Sequence, residues 1–173
     1  MKLAELLEKT EYEVRQGSTD QEVKGLAYDS RKVSEGFAFA CISGSMQDGH
    51  DFIPEVVKKG AKVLVVQKEV EAPEDVTVIR VKNTRLALAL MSAAWFDYPA
   101  EKLKTIGITG TKGKTTTSYM IKSILEQGGI KTGLIGTIEA IIGDEVIPAN
   151  NTTPESMTIQ KYFRQMADID MDK

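Results

Sequence analysis

The sequence has few of the residue types on which disulfide and membrane architectures depend. Its 173 residues include one cysteine, Cys41, so no intrachain disulfide can form and nothing indicates an oxidising compartment. No stretch approaches the roughly 20 apolar residues of a membrane span. Acidic residues, among them Glu5 and Glu8, interrupt the N-terminal stretch where a signal peptide needs an apolar core. We therefore expect a cytoplasmic protein with no membrane partner.

The sequence also lacks an excess of positive charge. Its formal net charge is -3, and the basic domain or stripe typical of nucleic-acid binding is missing. Hydrophobic residues make up 42% and charged residues 27%, which is typical of a globular chain that can bury a core. The length predicts one domain or two small ones, without a nucleic-acid partner.

Strand and helix patterns alternate along the first part of the chain. β-branched and apolar runs predict strands, and amphipathic or strongly apolar segments predict helices. This alternation predicts a small α/β domain over residues 1–98. Pro99 ends the preceding helix, and 99–103 is predicted as a linker. The strands are expected at 23–28, 37–42, 62–66 and 76–81, and the helices at 1–8, 51–59 and 84–96.

The rest of the chain, 104–173, is predicted to begin a second α/β domain. A strand at 104–108, a glycine-rich loop, a helix at 114–127 and a strand at 131–138 together predict a right-handed βαβ unit. A hairpin over 141–147 and a helix over 155–166 follow. The chain then ends in acidic residues without a further strand, so this domain is expected to be incomplete.

Residues 107–117, GITGTKGKTTT, have the composition of a phosphate-binding loop. The common form G-x-x-x-x-G-K-[ST] would place glycine where this chain has Ile108. The remaining features fit, because glycines let backbone amides face an anion at a helix N-terminus. In this interpretation Lys114 contacts the β and γ phosphates, the Thr115 hydroxyl binds Mg²⁺, and the amides of 111–116 cradle the phosphates. A glycine turn with Thr115 as helix cap is the alternative, and it leaves the packed Gly-Lys-Thr-Thr unexplained.

The whole loop resembles the ATP site of the Mur ligases, whose usual form is T-G-T-N-G-K-[ST]-[ST]. That form lacks the outer glycine, although Lys112 stands where the family usually has asparagine. Three further stretches resemble the members that add the third peptide residue, and they occur in the family's order. These stretches are YDSR at 28–31, DGHDFI at 48–53 and NTTP at 151–154.

The resemblance implies an ATP-dependent amide-bond ligase of peptidoglycan precursor synthesis. Such an enzyme adds the third amino acid to UDP-N-acetylmuramoyl-L-alanyl-D-glutamate through an acyl phosphate, with ATP and Mg²⁺. Lys114 would be catalytic and Thr115 would bind the metal. The nucleotide-binding residues implied are Gly110, Thr111, Lys112, Gly113, Lys114, Thr115 and Thr116.

The resemblance also implies residues for the UDP-linked substrate. Ser30 and the Tyr28 backbone, with the loop of Ser45, would contact the uridine diphosphate end. Asn151, Thr152 and Thr153 would bind the muramoyl-peptide end. Two alternatives stay open, since 29–30 could form only a turn and 151–154 only a helix cap.

Two single residues are expected to be structural. His50 is the sole histidine, but it lies far along the sequence from the ATP loop and precedes a helix start. We expect it to have a structural or capping role rather than that of a catalytic base. Cys41 lies in an apolar run and is expected to be a small core residue.

The resemblance covers the chain up to about residue 166. It implies an N-terminal portion of the ligase, expected to act as a monomer and to have little or no activity alone. A stand-alone module that binds a nucleotide or a UDP-muramoyl ligand is the alternative. Folylpolyglutamate synthetase shares the loop type but lacks the preceding domain. The sequence does not decide between L-lysine and meso-diaminopimelate as the added residue.

Overall fold

The computed structural model describes residues 1–44, 47–149 and 153–169. The chain divides into two compact units, Met1–Trp95 and Phe96–Lys173. Among the described residues, no helix combines the length and apolar character required to cross a bilayer.

The first unit alternates strands with helices, as its sequence predicts. Short 3₁₀ turns at Ser30–Lys32 and Gly49–Phe52 follow the ends of two strand segments. In chain order the elements are α1 (Leu3–Leu6), β1 (Tyr12–Gln16), β2 (Gly25–Ala27), β3 (Phe37–Ala40), α2 (Ile53–Lys58), β4 (Val63–Val66), β5 (Thr77–Val81) and α3 (Thr84–Trp95).

The strands form one five-stranded sheet in the order β1-β5-β4-β3-β2. Strands β2 to β5 are parallel, and all four residues of β4 are buried, as expected for a strand covered on both faces. Phe39, Cys41 and Leu64 are completely buried in the same core cluster. The complete burial of Cys41 confirms its role as a core residue, and this burial raises the pKa of its thiol to about 12. The α/β prediction is confirmed.

Strand β1 was not predicted from the sequence. It pairs antiparallel with β5 at the sheet edge, and four of its five residues are exposed. Tyr12 and Val14 are each 41% exposed, so the strand has no buried apolar face for a pattern to reveal. Glu13 lies between these two residues and Arg15 follows them, and the two charged side chains form an ion pair at 2.7 Å. Charges of this kind are typical of protected edge strands.

The second unit contains two well-formed helices and a small sheet. A 3₁₀ turn at Pro99–Lys102 precedes them. The strands β6, β7 and β8 form an antiparallel sheet in that order. The bounds are α4 (Lys114–Gln127), β6 (Leu134–Ile135), β7 (Glu139–Ile142), β8 (Glu145–Pro148) and α5 (Ser156–Asp168).

The predicted strand at 104–108 and the βαβ unit built on it are wrong. These residues form no strand, and β6 pairs antiparallel with β7. Residues 104–107 are all exposed, and Ile106 is 62% exposed. A strand requires a hydrogen-bonding neighbour, and the described part of this unit supplies no strand beside the segment. Apolar residues alone therefore did not make it a strand.

Strand β6 is shorter than the predicted 131–138 segment. It ends at Ile135 because the chain turns at Gly136, whose amide donates to the Glu139 carbonyl at 3.0 Å. Before the strand, a Cβ on Gly133 would lie 2.5 Å from the Met166 sulfur. A larger residue at this position would therefore have to displace the flexible end of the Met166 side chain.

Candidate functional site

The glycine-rich loop leads directly into the N-terminus of α4. Gly113 is the N-cap, with φ at +81°, and no side chain caps this helix. A Cβ on Gly113 would meet nothing within 4 Å, so glycine is favoured here by its backbone angle rather than by crowding. Thr115 lies inside the first turn, and the alternative in which it caps the helix is wrong. The amides of a first helical turn lack intrahelical partners and can bind an anion.

Lys114 folds back over the loop that precedes it. Its ammonium Nζ donates to the carbonyl oxygen of Gly110 at 2.6 Å. The next turn is also fixed, because the Ser118 hydroxyl donates to the Thr115 carbonyl at 2.7 Å. The lysine ammonium is therefore held at Gly110 of the loop, and the Ser118 bond stabilises the first turns of α4.

A cavity of about 310 Å³ opens at this helix end. Residues 111–116 line it, so six of the seven predicted nucleotide-binding residues share one site; Gly110 reaches it only through its bond to Lys114. The lining offers hydrogen-bond donors to an anion: two ammonium groups, three threonine hydroxyls and the helix amides. None of the described residues that line the cavity is acidic. The arrangement suits a polyphosphate.

Thr137 also lines this cavity and was missed by the sequence reasoning. Thr137 falls within the strand predicted at 131–138, but β6 ends at Ile135. Thr137 therefore lies on the turn just beyond the end of β6. The Gly136-Thr137 pair was the available signal, since glycine there favours a turn.

The residues fit Mg²⁺ only as part of a metal–phosphate complex. Among the described residues, no group of three or more His, Cys, Asp or Glu side chains could hold a metal ion. Magnesium usually keeps several waters and binds few protein ligands together with substrate phosphates. The Thr115 hydroxyl at the cavity could supply one such ligand.

A larger cleft of about 440 Å³ lies along α4 and β7 and is not the phosphate site. Tyr119, Lys122 and Ile141 are among its lining residues. It borders the middle and end of α4 rather than its N-terminus, and Lys122 is paired with Glu126. It therefore lacks the amides that bind phosphate at the smaller cavity.

In the first unit, the predicted uridine-diphosphate residues lie where β2 runs into a 3₁₀ turn. Asp29 caps this turn by accepting from the Arg31 amide at 3.0 Å. Its carboxylate also accepts from Arg31 Nε at 2.9 Å and Nη2 at 2.8 Å. The Arg31 side chain beside it lowers the pKa of the Asp29 carboxyl to about 2. Asp29 therefore forms the turn that the sequence alternative expected, and this turn presents Ser30.

A lysine at the end of α2 also holds the backbone of Ser30. It is 8% exposed, and its carbonyl accepts from Lys59 Nζ at 2.9 Å. Lys59 is also paired with Glu55 at 2.6 Å. Within the described part of the chain, no partner is recorded for the Ser30 hydroxyl, whereas the half-buried Tyr28 has one. The turn backbone is fixed, and the Ser30 hydroxyl can bind a ligand.

Two family models match the chain over most of its length. One describes the Mur ligase family catalytic domain and matches residues 22–96. The other describes the Mur ligase middle domain and matches residues 108–173, which include the phosphate loop.

The chain belongs to the Mur ligase family. A curated relative from Clostridium perfringens, UDP-N-acetylmuramoyl-L-alanyl-D-glutamate--2,6-diaminopimelate ligase, is 49% identical over 99% of the chain. The chain spans 36% of that relative's length.

Solved Mur ligase structures have the same fold. A UDP-N-acetylmuramoyl-L-alanyl-D-glutamate--2,6-diaminopimelate ligase structure matches 98% of this chain and 34% of its own, with a TM-score of 0.72 at 20% identity. MurF from Acinetobacter baumannii matches 94% of this chain and 32% of its own, with a TM-score of 0.58 at 28% identity.

In this Mur ligase chain His50 is structural, as expected. It is 6% exposed, and its Nδ1 lies 2.6 Å from an oxygen of Asp48. Its Nε2 accepts from the Gln67 amide at 3.1 Å, so the neutral ring carries its proton on Nδ1. Lys68 completes the cluster by donating to the second Asp48 oxygen at 2.8 Å.

The remaining predicted substrate residues are only partly described. Ser45, Asn151 and Thr152 lie outside the described residues. Thr153 is exposed and lies three residues before α5. Tyr28 and Ser30 belong to the first unit, and Thr153 belongs to the second with the phosphate loop.

Proposed function

We propose that this chain is the substrate-binding domain and part of the ATP-binding domain of a third-residue Mur ligase. The reaction would join 2,6-diaminopimelate to UDP-N-acetylmuramoyl-L-alanyl-D-glutamate in peptidoglycan precursor synthesis, in the cytoplasm. The observation that carries this proposal is the 49% identity, over 99% of the chain, to a relative of that name. The proposed domains are 1–98 and 104–173, with a linker at 99–103.

The phosphate cavity would hold the triphosphate of ATP. In this reaction the terminal phosphoryl group passes to the D-glutamate carboxylate, and the incoming amine then displaces phosphate from the acyl phosphate. Phosphoryl transfer depends mainly on positioning and on charge stabilisation. Lys114 would neutralise charge on the β and γ phosphates, and the amides of 111–116 would fix them. Thr115 would hold Mg²⁺, which supplies further charge neutralisation when bound.

Hydroxyl and amide side chains would bind the UDP-linked substrate. Ser30, presented by the Asp29 turn, would donate to the uridine diphosphate part, beside the Tyr28 backbone and Ser45. Asn151, Thr152 and Thr153 would bind the muramoyl-peptide end. Hydroxyl and amide donors suit pyrophosphate and carboxylate oxygens.

Calorimetric titration of the 173-residue chain tests the substrate assignment. We expect UDP-N-acetylmuramoyl-L-alanyl-D-glutamate to bind and UDP-glucose, which shares only the nucleotide, to bind more weakly. Equal affinity for both would contradict recognition of the muramoyl-peptide end. Absence of binding at millimolar concentration would contradict the substrate assignment altogether.

An ADP-release assay tests the ligase chemistry. It combines Mg-ATP and the UDP-linked dipeptide with either 2,6-diaminopimelate or L-lysine. ADP release and ligated product that depend on 2,6-diaminopimelate would support the full proposal. Substrate binding without ADP release is the result expected of a portion of the ligase that has little or no activity alone.

A further inference from the structure

Thr137 reaches the phosphate cavity from a different element than the loop. The other described residues that line the cavity all belong to the glycine loop or the first turn of α4. Thr137 instead follows β6, on the turn that connects β6 to β7. Its side chain is exposed, and no described residue is recorded as its hydrogen-bonding partner. Its hydroxyl is therefore available to a ligand in the cavity.

The turn that carries Thr137 has a fixed shape. The Gly136 amide donates to the Glu139 carbonyl at 3.0 Å and closes the turn around Thr137 and Ile138. The Ile138 carbonyl also accepts from the Ala149 amide at 2.9 Å, which ties the turn to the end of the hairpin. Two backbone bonds therefore hold the turn without involving the Thr137 side chain.

A side-chain bond joins the same turn to the helix that begins at the cavity. The Tyr119 hydroxyl on α4 donates to the Glu139 carboxylate at 2.5 Å. Tyr119 lies four residues after Thr115, so the two share one face of the helix. The Tyr119–Glu139 bond thus fixes the distance between the Thr137 turn and the helix face that carries Thr115.

We propose that Thr137 is a further phosphate-binding residue, with the Tyr119–Glu139 bond as its positioning contact. This inference rests on the proposed function of the cavity. In phosphate loops the amides cradle the inner phosphates and the lysine reaches the outer ones. A hydroxyl supplied from beyond the loop adds a donor for the terminal phosphate. Thr137 therefore favours the nucleoside triphosphate over the diphosphate.

Nucleotide titrations of the full 173-residue chain test this role, with Mg-ATP and Mg-ADP as the two probes. Thr137→Val removes the hydroxyl and keeps the shape of the side chain. We expect it to weaken Mg-ATP binding about tenfold, the effect of one charge-assisted hydrogen bond, and Mg-ADP binding less than twofold. Thr137→Ser keeps the hydroxyl and should keep the preference for ATP.

Two variants of the positioning contact extend the test. Tyr119→Phe removes the donor and should reduce the ATP-to-ADP preference about threefold. Glu139→Gln keeps an acceptor oxygen and should retain most of that preference. Equal losses for ATP and ADP in Tyr119→Phe would indicate a merely structural role and overturn the positioning contact.

The outcomes separate this inference from the function on which it rests. If Lys114→Ala abolishes binding but Thr137→Val leaves the ATP-to-ADP ratio unchanged, the cavity binds nucleotide and the Thr137 role is overturned. If the unsubstituted chain binds neither nucleotide, the phosphate site itself is overturned. Melting curves of the variants show whether each remains folded, and Thr137→Ser distinguishes loss of the hydroxyl from loss of the fold.

Discussion

Lys114 and Gly110 are joined across the phosphate loop by a hydrogen bond of 2.6 Å from the lysine ammonium to the glycine carbonyl. An ammonium has three donors, so Lys114 can keep this bond and still donate to phosphate oxygens. The bond therefore pre-positions the charge at the loop and does not exclude a ligand.

Replacement of Lys114 should remove most of the nucleotide affinity. We expect Lys114→Ala to weaken Mg-ATP binding by about 2–3 kcal/mol, because a charge-assisted donor to the phosphates is lost. Lys131→Ala is the control, since Lys131 is an exposed lysine of the same unit that does not line the cavity. Calorimetry should show near-normal affinity for this control. Equal losses in both variants would indicate attraction by net charge alone.

Replacement of Ser30 should weaken binding of the UDP-linked dipeptide. Its hydroxyl has no recorded partner in the described part of the chain, so Ser30→Ala should cost about 1 kcal/mol or more of binding free energy and little stability. Ser34→Ala, at an exposed serine four residues later, is the control. Calorimetry and a melting curve measure the two effects separately. Unchanged affinity in Ser30→Ala would leave this turn with a structural role only.

The Asp29 carboxylate should make the stability of the first unit fall in acid. Its pKa is lowered to about 2 in the folded chain from an ordinary 3.8, so its contribution is present above pH 4 and is lost as the pH falls towards 2. The exposed Arg31 partner limits this contribution to about 1 kcal/mol. Trp95, the sole tryptophan, lies in α3 and reports urea unfolding of this unit by fluorescence.

Asp29→Asn provides the comparison for this pH dependence. Asparagine keeps a side-chain oxygen that can cap the turn, but it removes the titrating charge. Between about pH 4.5 and about pH 2.5, the variant should lose less stability than the unsubstituted chain. The pKa of Asp48 is also lowered by its bond to Lys68, so Asp48 should maintain part of the pH dependence of stability in the variant. An identical slope in the variant would contradict the Asp29 assignment.

The first unit could be predicted from the sequence where burial and strand periodicity coincide. The run Val63–Val66 is apolar throughout because β4 is covered on both faces. Strand β1 was missed for the opposite reason, since an exposed, charged edge strand is fixed by its pairing with β5 and not by an apolar face. Local pattern identifies buried strands, whereas edge strands depend on their neighbours.

The site could be predicted only where its residues are contiguous in the sequence. Residues 111–116 occupy one loop and one helical turn, so a short motif identifies them. Thr137 comes more than twenty residues later and enters the cavity because a turn ends β6 early. The error at 104–108 has a related cause: the segment has strand composition, but no described strand lies beside it. In both cases contacts between distant segments determine the local structure, and local composition does not predict those contacts.

His50 connects two segments of the first unit, 48–50 and 67–68, and its replacement should reduce stability. His50→Ala leaves the Gln67 amide and one oxygen of Asp48 without their ring partner, which we expect to cost about 1–3 kcal/mol in urea unfolding followed by Trp95 fluorescence. Lys68→Ala is the matched control in the same cluster. The Lys68 side chain in its pair with Asp48 is 55% exposed, so the loss should be smaller than that of His50→Ala. A larger loss in Lys68→Ala than in His50→Ala would contradict the structural role, because it would mean that the exposed charge, and not the buried ring, holds the two segments together.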